Sequence, residues 1–274
     1  MRIIPKIDPI SLITELQQIH SLVKDVTEAE ILDTSSSQLQ ATFKRLDELA
    51  SLDADQKYIN ALLKSPEFSL ILPSISSFRF LYNLKLEIEK ANKLLSSQNP
   101  WQALQNFTFY PNYLQLSRTE FLGSGLKPEN SVVFLGSGPL PLSLIILCHE
   151  YNLFGTGIEQ DENRASLSRK VIAKLGLSER IQIITGNHFI FPLKTPFDLY
   201  MIAAQAEPKK QIFQHLAEVL PAGSKISYRV YEEGFRKILD NSFHFELPAE
   251  FEEYLRVQPE PPVNNTVVFL RKKS

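Results

Sequence analysis

A chain of 274 residues, 43% apolar and 22% charged, is globular and long enough to bury one large core or two modest ones. Its formal net charge of −2, with no basic run beyond Arg271-Lys272-Lys273, gives no electrostatic reason to expect a nucleic-acid partner. Cys148 is alone, so no internal disulfide forms, and its apolar neighbours mark a buried, inert thiol in a cytoplasmic protein.

From Pro9 to about Glu120 glycine is absent and strand signals are faint, which predicts helices joined by short polar loops. Ile10, Ile13, Leu16 and Ile19 recur at helical spacing, as do Leu39, Phe43, Leu46 and Leu49. Thr27, Ser37 and Asp53 are candidate N-caps. A longer helix is predicted over Ser76–Ser97, with Phe80, Leu84, Ile88, Ala91 and Leu95 on one face. Glu87 lies in register with that stripe. It reads either as an edge charge paired with Lys90 or as a partly buried carboxylate of raised basicity. Asn99-Pro100-Trp101 marks a helix start, and the dense aromatics Phe107, Phe109, Tyr110 and Tyr113 suit a core or a ligand pocket. Met1–Asp8 lacks the apolar centre of a secretory leader, and Leu140–Leu147 is too short to cross a bilayer, so neither export nor a membrane is expected.

After Gly123-Ser124-Gly125 strands and helices alternate, which places the expected boundary between a helical domain, residues 1–122, and a sheet domain, residues 123–274. Strands are predicted at Val132–Leu135, Gly155–Glu159, Gln182–Thr185, Phe197–Ala203, Lys225–Tyr231 and Thr266–Arg271. Helices fall at Leu140–Glu150, Glu162–Leu175 and Pro208–Leu220, with a short piece near Gly234–Leu239. Such alternation predicts an α/β, Rossmann-like, largely parallel sheet of the class I methyltransferase kind, with room for one terminal strand as an antiparallel edge.

Ligands of such sheets sit at the carboxyl ends of the strands. That rule singles out Gly136, Ser137, Gly138 and Pro139, then Glu159, Asn187 and Ala204. The glycines permit a sharp turn and close approach of a ligand. Glu159, about 20 residues on, is placed to accept hydrogen bonds from ribose hydroxyls. Pro141 replaces the third glycine of GxGxxG, which argues against a dinucleotide and favours S-adenosylmethionine. Asn187 reads equally as a turn residue bonding its own backbone. His188 has no partners at metal-ligand spacing, so no metal is expected. Glu207 is either a carboxylate at a helix N-terminus or a substrate-binding group. Gly136-Ser137-Gly138 is not the GxSxG elbow of a hydrolase.

Several stretches together resemble nicotianamine synthase and its bacterial relatives that make staphylopine-type opine metallophores. They are Asn83 to Ala91, Pro100-Trp101, Phe109 to Leu114, Phe134 to Leu142, Leu167 to Ile172, Ala206 to Lys209, Tyr228-Arg229 and Val263 to Thr266. The resemblance implies transfer of the 3-amino-3-carboxypropyl (aminobutyrate) group of S-adenosylmethionine, as co-substrate, to an amine, with release of methylthioadenosine. It implies Glu87 and Tyr113 as catalytic residues with Tyr110 nearby. Arg229 would hold a substrate carboxylate, or else form a structural ion pair. The acceptor would be histidine or an aminocarboxypropyl intermediate, with no metal in catalysis and a homodimer left open. An S-adenosylmethionine-dependent methyltransferase and a non-catalytic S-adenosylmethionine-binding module are the alternatives.

Overall fold

The computed structural model describes residues 9–52, 59, 62–191, 196–232, 235–239 and 246–274. The chain divides into two compact units, one comprising Met1–Leu86 with Tyr231–Phe243, the other Glu87–Val230 with His244–Ser274.

The first unit is helical: α1 (Pro9–Val23), α2 (Glu28–Asp33), α3 (Ser37–Ala50), the start of α4 (Pro66–Ser96) and the short α10 (Arg236–Leu239). Leu16, Ile19, Phe43, Leu46 and Leu49 are all buried, as their spacing predicts. Thr27 and Glu30 form a reciprocal capping box on α2. The cap of α3 is Ser36 rather than Ser37, and Asp53 lies outside the described residues. At the other end of α2, Lys85 donates from Nζ to the carbonyls of Leu32 and Thr34, a cation where the helix dipole is negative.

Helix α4 begins ten residues before the predicted Ser76, at Pro66, and continues through Pro73. Proline's fixed φ is already helical, so the lost hydrogen bond bends or weakens such a helix without having to end it. Its buried face within the first unit is Phe68, Ile71, Ile75, Phe78 and Tyr82. Phe80, expected on the buried stripe, is instead 37% exposed.

The second unit takes the rest of α4, then α5 (Pro100–Gln105), α6 (Tyr110–Ser124), β1 (Ser131–Leu135), α7 (Leu142–Glu150), β2 (Phe154–Glu159), α8 (Glu162–Lys174), β3 (Ile181–Thr185), β4 (Leu199–Ile202), α9 (Lys209–Val219), β5 (Lys225–Val230), β6 (Phe251–Val257) and β7 (Thr266–Lys272). The strands form one seven-stranded sheet in the order β3-β2-β1-β4-β5-β7-β6. Strands β1 to β5 are parallel, and β7 runs antiparallel between β5 and β6. This is the Rossmann-like methyltransferase arrangement. The last strand is therefore antiparallel but interior, and β6, absent from the predicted set, is the edge. Phe251–Val257 exposes five of its seven residues, so it lacks the apolar alternation that marks a half-buried strand.

The expected boundary at 122/123 falls inside the second unit. Helix α6 packs Leu116 on Val267 and Phe269, while Leu104 of α5 and Ala91 of α4 join the core that holds Phe134. Helix α7 is apolar on every side, with Leu142 to Cys148 all buried, as expected for a helix walled in by others.

Candidate active site

Strand β1 ends at Leu135, and the chain turns through Gly136 (φ +78°) and Gly138 (φ +70°), both in the left-handed region that disfavours a side chain. Gly136 and Ser137 both donate from backbone nitrogen to Ile158 O, at 2.9 and 3.1 Å. A Cβ on Gly136 would press on Ala203 and Ala206 at 3.2 Å. Ser137 is buried against Gly157, its hydroxyl without a partner among the described residues. Pro139 is buried, and Pro141 caps rather than begins the helix, which starts at Leu142 instead of Leu140.

Glu159 closes β2 and is buried. Its Oε2 accepts from the Gly138 N–H at 3.1 Å, and its Oε1 accepts from the Asp161 N–H at 3.0 Å. Arg164 pairs with the same Oε1 at 3.0 Å. A carboxylate offers about four acceptor positions, so one on Oε2 remains open for a hydroxyl group. Arg164 was not predicted. Its signal is its place in the first turn of the helix that follows Glu159.

Glu87, half-buried on α4, points its Oε2 at this turn, 3.0 Å from the position of a Cβ on Gly138. Burial, then the negative charge of Glu159, push its carboxyl up to about 8, and the Arg164 guanidinium only partly offsets them. The Lys90 pairing is not formed. Lys90 is itself buried, its ammonium over the Phe107 ring at 5.6 Å, and burial followed by Lys93 lowers its pKa.

Tyr113, half-buried on α6, faces the Arg229 guanidinium at 6.0 Å from its ring centre, and the same guanidinium lies 5.4 Å from the ring of Phe134 on β1. Of the two options the sequence leaves for Arg229, a substrate carboxylate or a structural ion pair, the structure shows the ion pair. Arg229 Nε and Nη2 donate to the two oxygens of buried Glu120 at 3.0 and 2.7 Å, and Nη2 also donates to Ser143 Oγ at 2.7 Å. Neither Glu120 nor Ser143 announced itself in sequence, because the pairing spans 109 residues to Glu120 and 86 to Ser143.

Other expected positions lie apart from the turn or take their simpler option. Tyr110 bonds Gln105, and its phenol is raised by burial and by Glu150, the last residue of α7, away from the glycines that precede that helix. Asn187 is exposed, and its Oδ1 accepts from the Phe189 N–H at 3.0 Å as a turn residue does. His188 packs on Phe189 and His215, its pKa lowered by burial. Glu207 accepts from the Lys209 N–H at 2.9 Å at the start of α9, again the helix-terminus option. The carbonyl of half-buried Ala204 is taken, with those of Ala203 and Ala206, by the buried ammonium of Lys209, which pins the loop against Gly136. Among the described residues no group of three His, Cys, Asp or Glu side chains is placed to hold a metal, and no helix is long and apolar enough to cross a membrane.

Glu87, Gly138 and Glu159 thus converge at the β1 and β2 ends, while Tyr113 and Arg229 stand beside Phe134 on the same strand. Comparison with known proteins supplies the relatives of this arrangement. The family model described as nicotianamine synthase protein matches residues 11–274. Nicotianamine synthase 3 of Oryza sativa subsp. indica is 31% identical over 159 residues, 53% of this chain and 46% of that protein. Nicotianamine synthase of Solanum lycopersicum is 28% identical over 199 residues, 66% and 61% of the two chains. The match thus spans less than two thirds of the length of these plant relatives. Among solved structures, MtNAS in complex with MTA and tNA is 30% identical, with a TM-score of 0.83, over 98% of this chain and all of that one. A glutamate-to-glutamine mutant of MtNAS in complex with S-adenosylmethionine is 30% identical, with a TM-score of 0.81, over 96% and 98%. A family model that covers all but the first ten residues places this protein in the nicotianamine synthase family.

Proposed function

We propose that the protein transfers the 3-amino-3-carboxypropyl group of S-adenosylmethionine to an amine acceptor, releasing methylthioadenosine, in the biosynthesis of a nicotianamine-like metallophore. The observation that carries this reading is the Glu87 carboxyl, which has no hydrogen-bond or ion-pair partner among the described residues and is aimed at the Gly138 turn beside Glu159. The turn suits the co-substrate. Its left-handed glycines let a ligand close on the backbone, and the remaining acceptor position of Glu159 suits a ribose hydroxyl.

In the transfer, the lone pair of the amine forms a bond to the methylene carbon next to sulfur. The carbon–sulfur bond breaks, and its electron pair returns to sulfur, which becomes neutral. The proton shed by the attacking nitrogen goes to Glu87. An adjacent sulfonium favours ionisation of Glu87, so co-substrate binding prepares the base. Tyr113, its ring facing the Arg229 guanidinium at 6.0 Å, is proposed to orient the acceptor so that displacement occurs at the methylene rather than at the less hindered methyl. No metal is needed, because a sulfonium is already a good leaving group. Histidine and an aminocarboxypropyl intermediate are the proposed acceptors. A cytoplasmic location is part of the same reading, supported by the single cysteine, Cys148, which leaves no internal disulfide to call for an oxidising compartment.

The test is mass spectrometry of products from S-adenosylmethionine with and without L- or D-histidine. Methylthioadenosine is expected. S-adenosylhomocysteine would make the protein a methyltransferase instead, and binding without turnover would make it a non-catalytic module.

A further inference from the structure

Two carboxyl groups meet at one turn of the second unit. Glu159 Oε2 accepts from the Gly138 N–H at 3.1 Å, and Glu87 Oε2 lies 3.0 Å from the point where a side chain on the same glycine would begin. Two negative charges at one turn oppose each other, so a base placed there works only if something balances its neighbour.

The balancing group is Arg164, in the first turn of α8. Its Nη2 pairs with Glu159 Oε1 at 3.0 Å, the same oxygen that accepts from the Asp161 N–H at 3.0 Å. Glu159 Oε1 is therefore fixed from two sides, and Oε2 is turned to the Gly138 amide. The start of α8 does not call for a guanidinium, because Asp161 Oδ1 already caps the helix by accepting from the Arg164 backbone N–H at 2.9 Å. Arg164 Nε is moreover buried, 3.8 Å from Asp161 Oδ1 and without a hydrogen-bond partner among the described residues. A guanidinium with one donor left unpaired is costly, and such a group needs a reason.

The charges around Glu87 supply one. From β2 the Glu159 carboxylate disfavours its ionisation, and from α8 the Arg164 guanidinium favours it. On α4 itself, Lys90 is turned onto the Phe107 ring at 5.6 Å. Glu162, next to Asp161, is paired with Arg169 at 2.9 Å. We propose that Arg164 is a positioning residue of the transfer, its guanidinium fixing Oε1 of Glu159 so that Oε2 serves the Gly138 amide and a ribose hydroxyl, and balancing the Glu159 charge beside the base Glu87. The acceptor's proton still passes to Glu87, and Arg164, which stays charged throughout, takes none. The inference rests on the transferase reading above and adds the residue that lets its base ionise beside a second carboxylate.

The test incorporates glutamate labelled with carbon-13 at the side-chain carboxyl into the full chain and follows its titration by NMR without ligand. The Glu87 signal is the one lost in Glu87→Gln. Its midpoint in wild type is expected at about 8. Arg164→Met should raise that midpoint by about one pH unit, and Glu159→Gln should lower it by a similar amount. Arg164→Lys, which keeps the charge, should bring it most of the way back to wild type. Arg164→Met should also raise the KM for S-adenosylmethionine about tenfold, as Glu159 loses a charged partner. Arg164→Gln, which keeps a donor but no charge, gives the same upward move should the Met variant not fold. An arginine that served structure alone would change unfolding temperature without moving the midpoint in opposite directions. A midpoint unmoved or lowered in Arg164→Met or Arg164→Gln overturns the proposal, as does an Arg164→Lys protein that titrates like Arg164→Met. If the midpoints move as expected and no methylthioadenosine forms, the transferase reading fails while the charge arrangement stands.

Discussion

Oε2 of Glu87 lies 3.0 Å from the point where a side chain on Gly138 would begin. The turn is closed to any larger residue by two separate effects, the left-handed backbone and the carboxylate. Gly176 separates them, because it has φ +74° and nothing within 4 Å of its Cβ position. Gly138→Ala and Gly176→Ala should each lower stability by about 1–2 kcal/mol from backbone strain. Only Gly138→Ala should also reduce methylthioadenosine release, by about tenfold or more, as the displaced carboxyl leaves its place. Thermal unfolding and product assay of both variants decide it. Equal activity in the two would mean that the close approach of Glu87 to Gly138 does not set the rate.

Glu87→Gln should lower kcat by about two to four orders of magnitude, the usual contribution of a positioned general base. The base works only when ionised, and its pKa in the unliganded protein is about 8. Wild-type kcat/KM should therefore rise with pH through that value and level off above it. A pH–rate series should show the limb in wild type and not in the variant. A wild-type profile flat from pH 6 to 9 would count against Glu87.

The same carboxyl should leave a mark on stability with the opposite trend. Its pKa is raised from 4.5 to about 8 on folding, so the folded state binds the extra proton between those values. Stability is then lost as pH rises from 4.5 through 8. At about 1.4 kcal/mol per unit, discounted because the side chain is only half-buried, Glu87→Gln should exceed wild type by about 2 kcal/mol at pH 8. The two should converge near pH 4.5. Urea titrations at pH 5 and pH 8 measure the difference, and a gap that stays constant with pH would contradict it.

Arg229 and Glu120 are both almost fully buried and grip each other through two hydrogen bonds. Removing either partner strands a charge, so Arg229→Met and Glu120→Leu should each cost about 3–5 kcal/mol. The double replacement strands neither and should recover most of that loss, which a double-mutant cycle in denaturant reads directly. Additive losses would mean that the pair is not a unit.

The local features of this protein were legible in its sequence. Helical spacing picked out Leu16, Ile19, Leu46 and Leu49 as core, and Asn99 before Pro100 marked a helix start that its side chain indeed caps. The glycines of the β1 turn and the carboxylate ending β2 were fixed the same way, because a sharp turn at a strand end demands particular residues within a few positions. Tertiary structure decided what depends on which elements stack. It turned Arg229 toward Glu120 on α6, set Glu87 against the glycine turn rather than Lys90, made exposed β6 the sheet edge, and drew the helices after Leu86 into the sheet unit. A buried charge takes the opposite charge that packing brings within reach, and a strand exposed along most of its length shows no apolar rhythm, so neither is written in neighbouring residues.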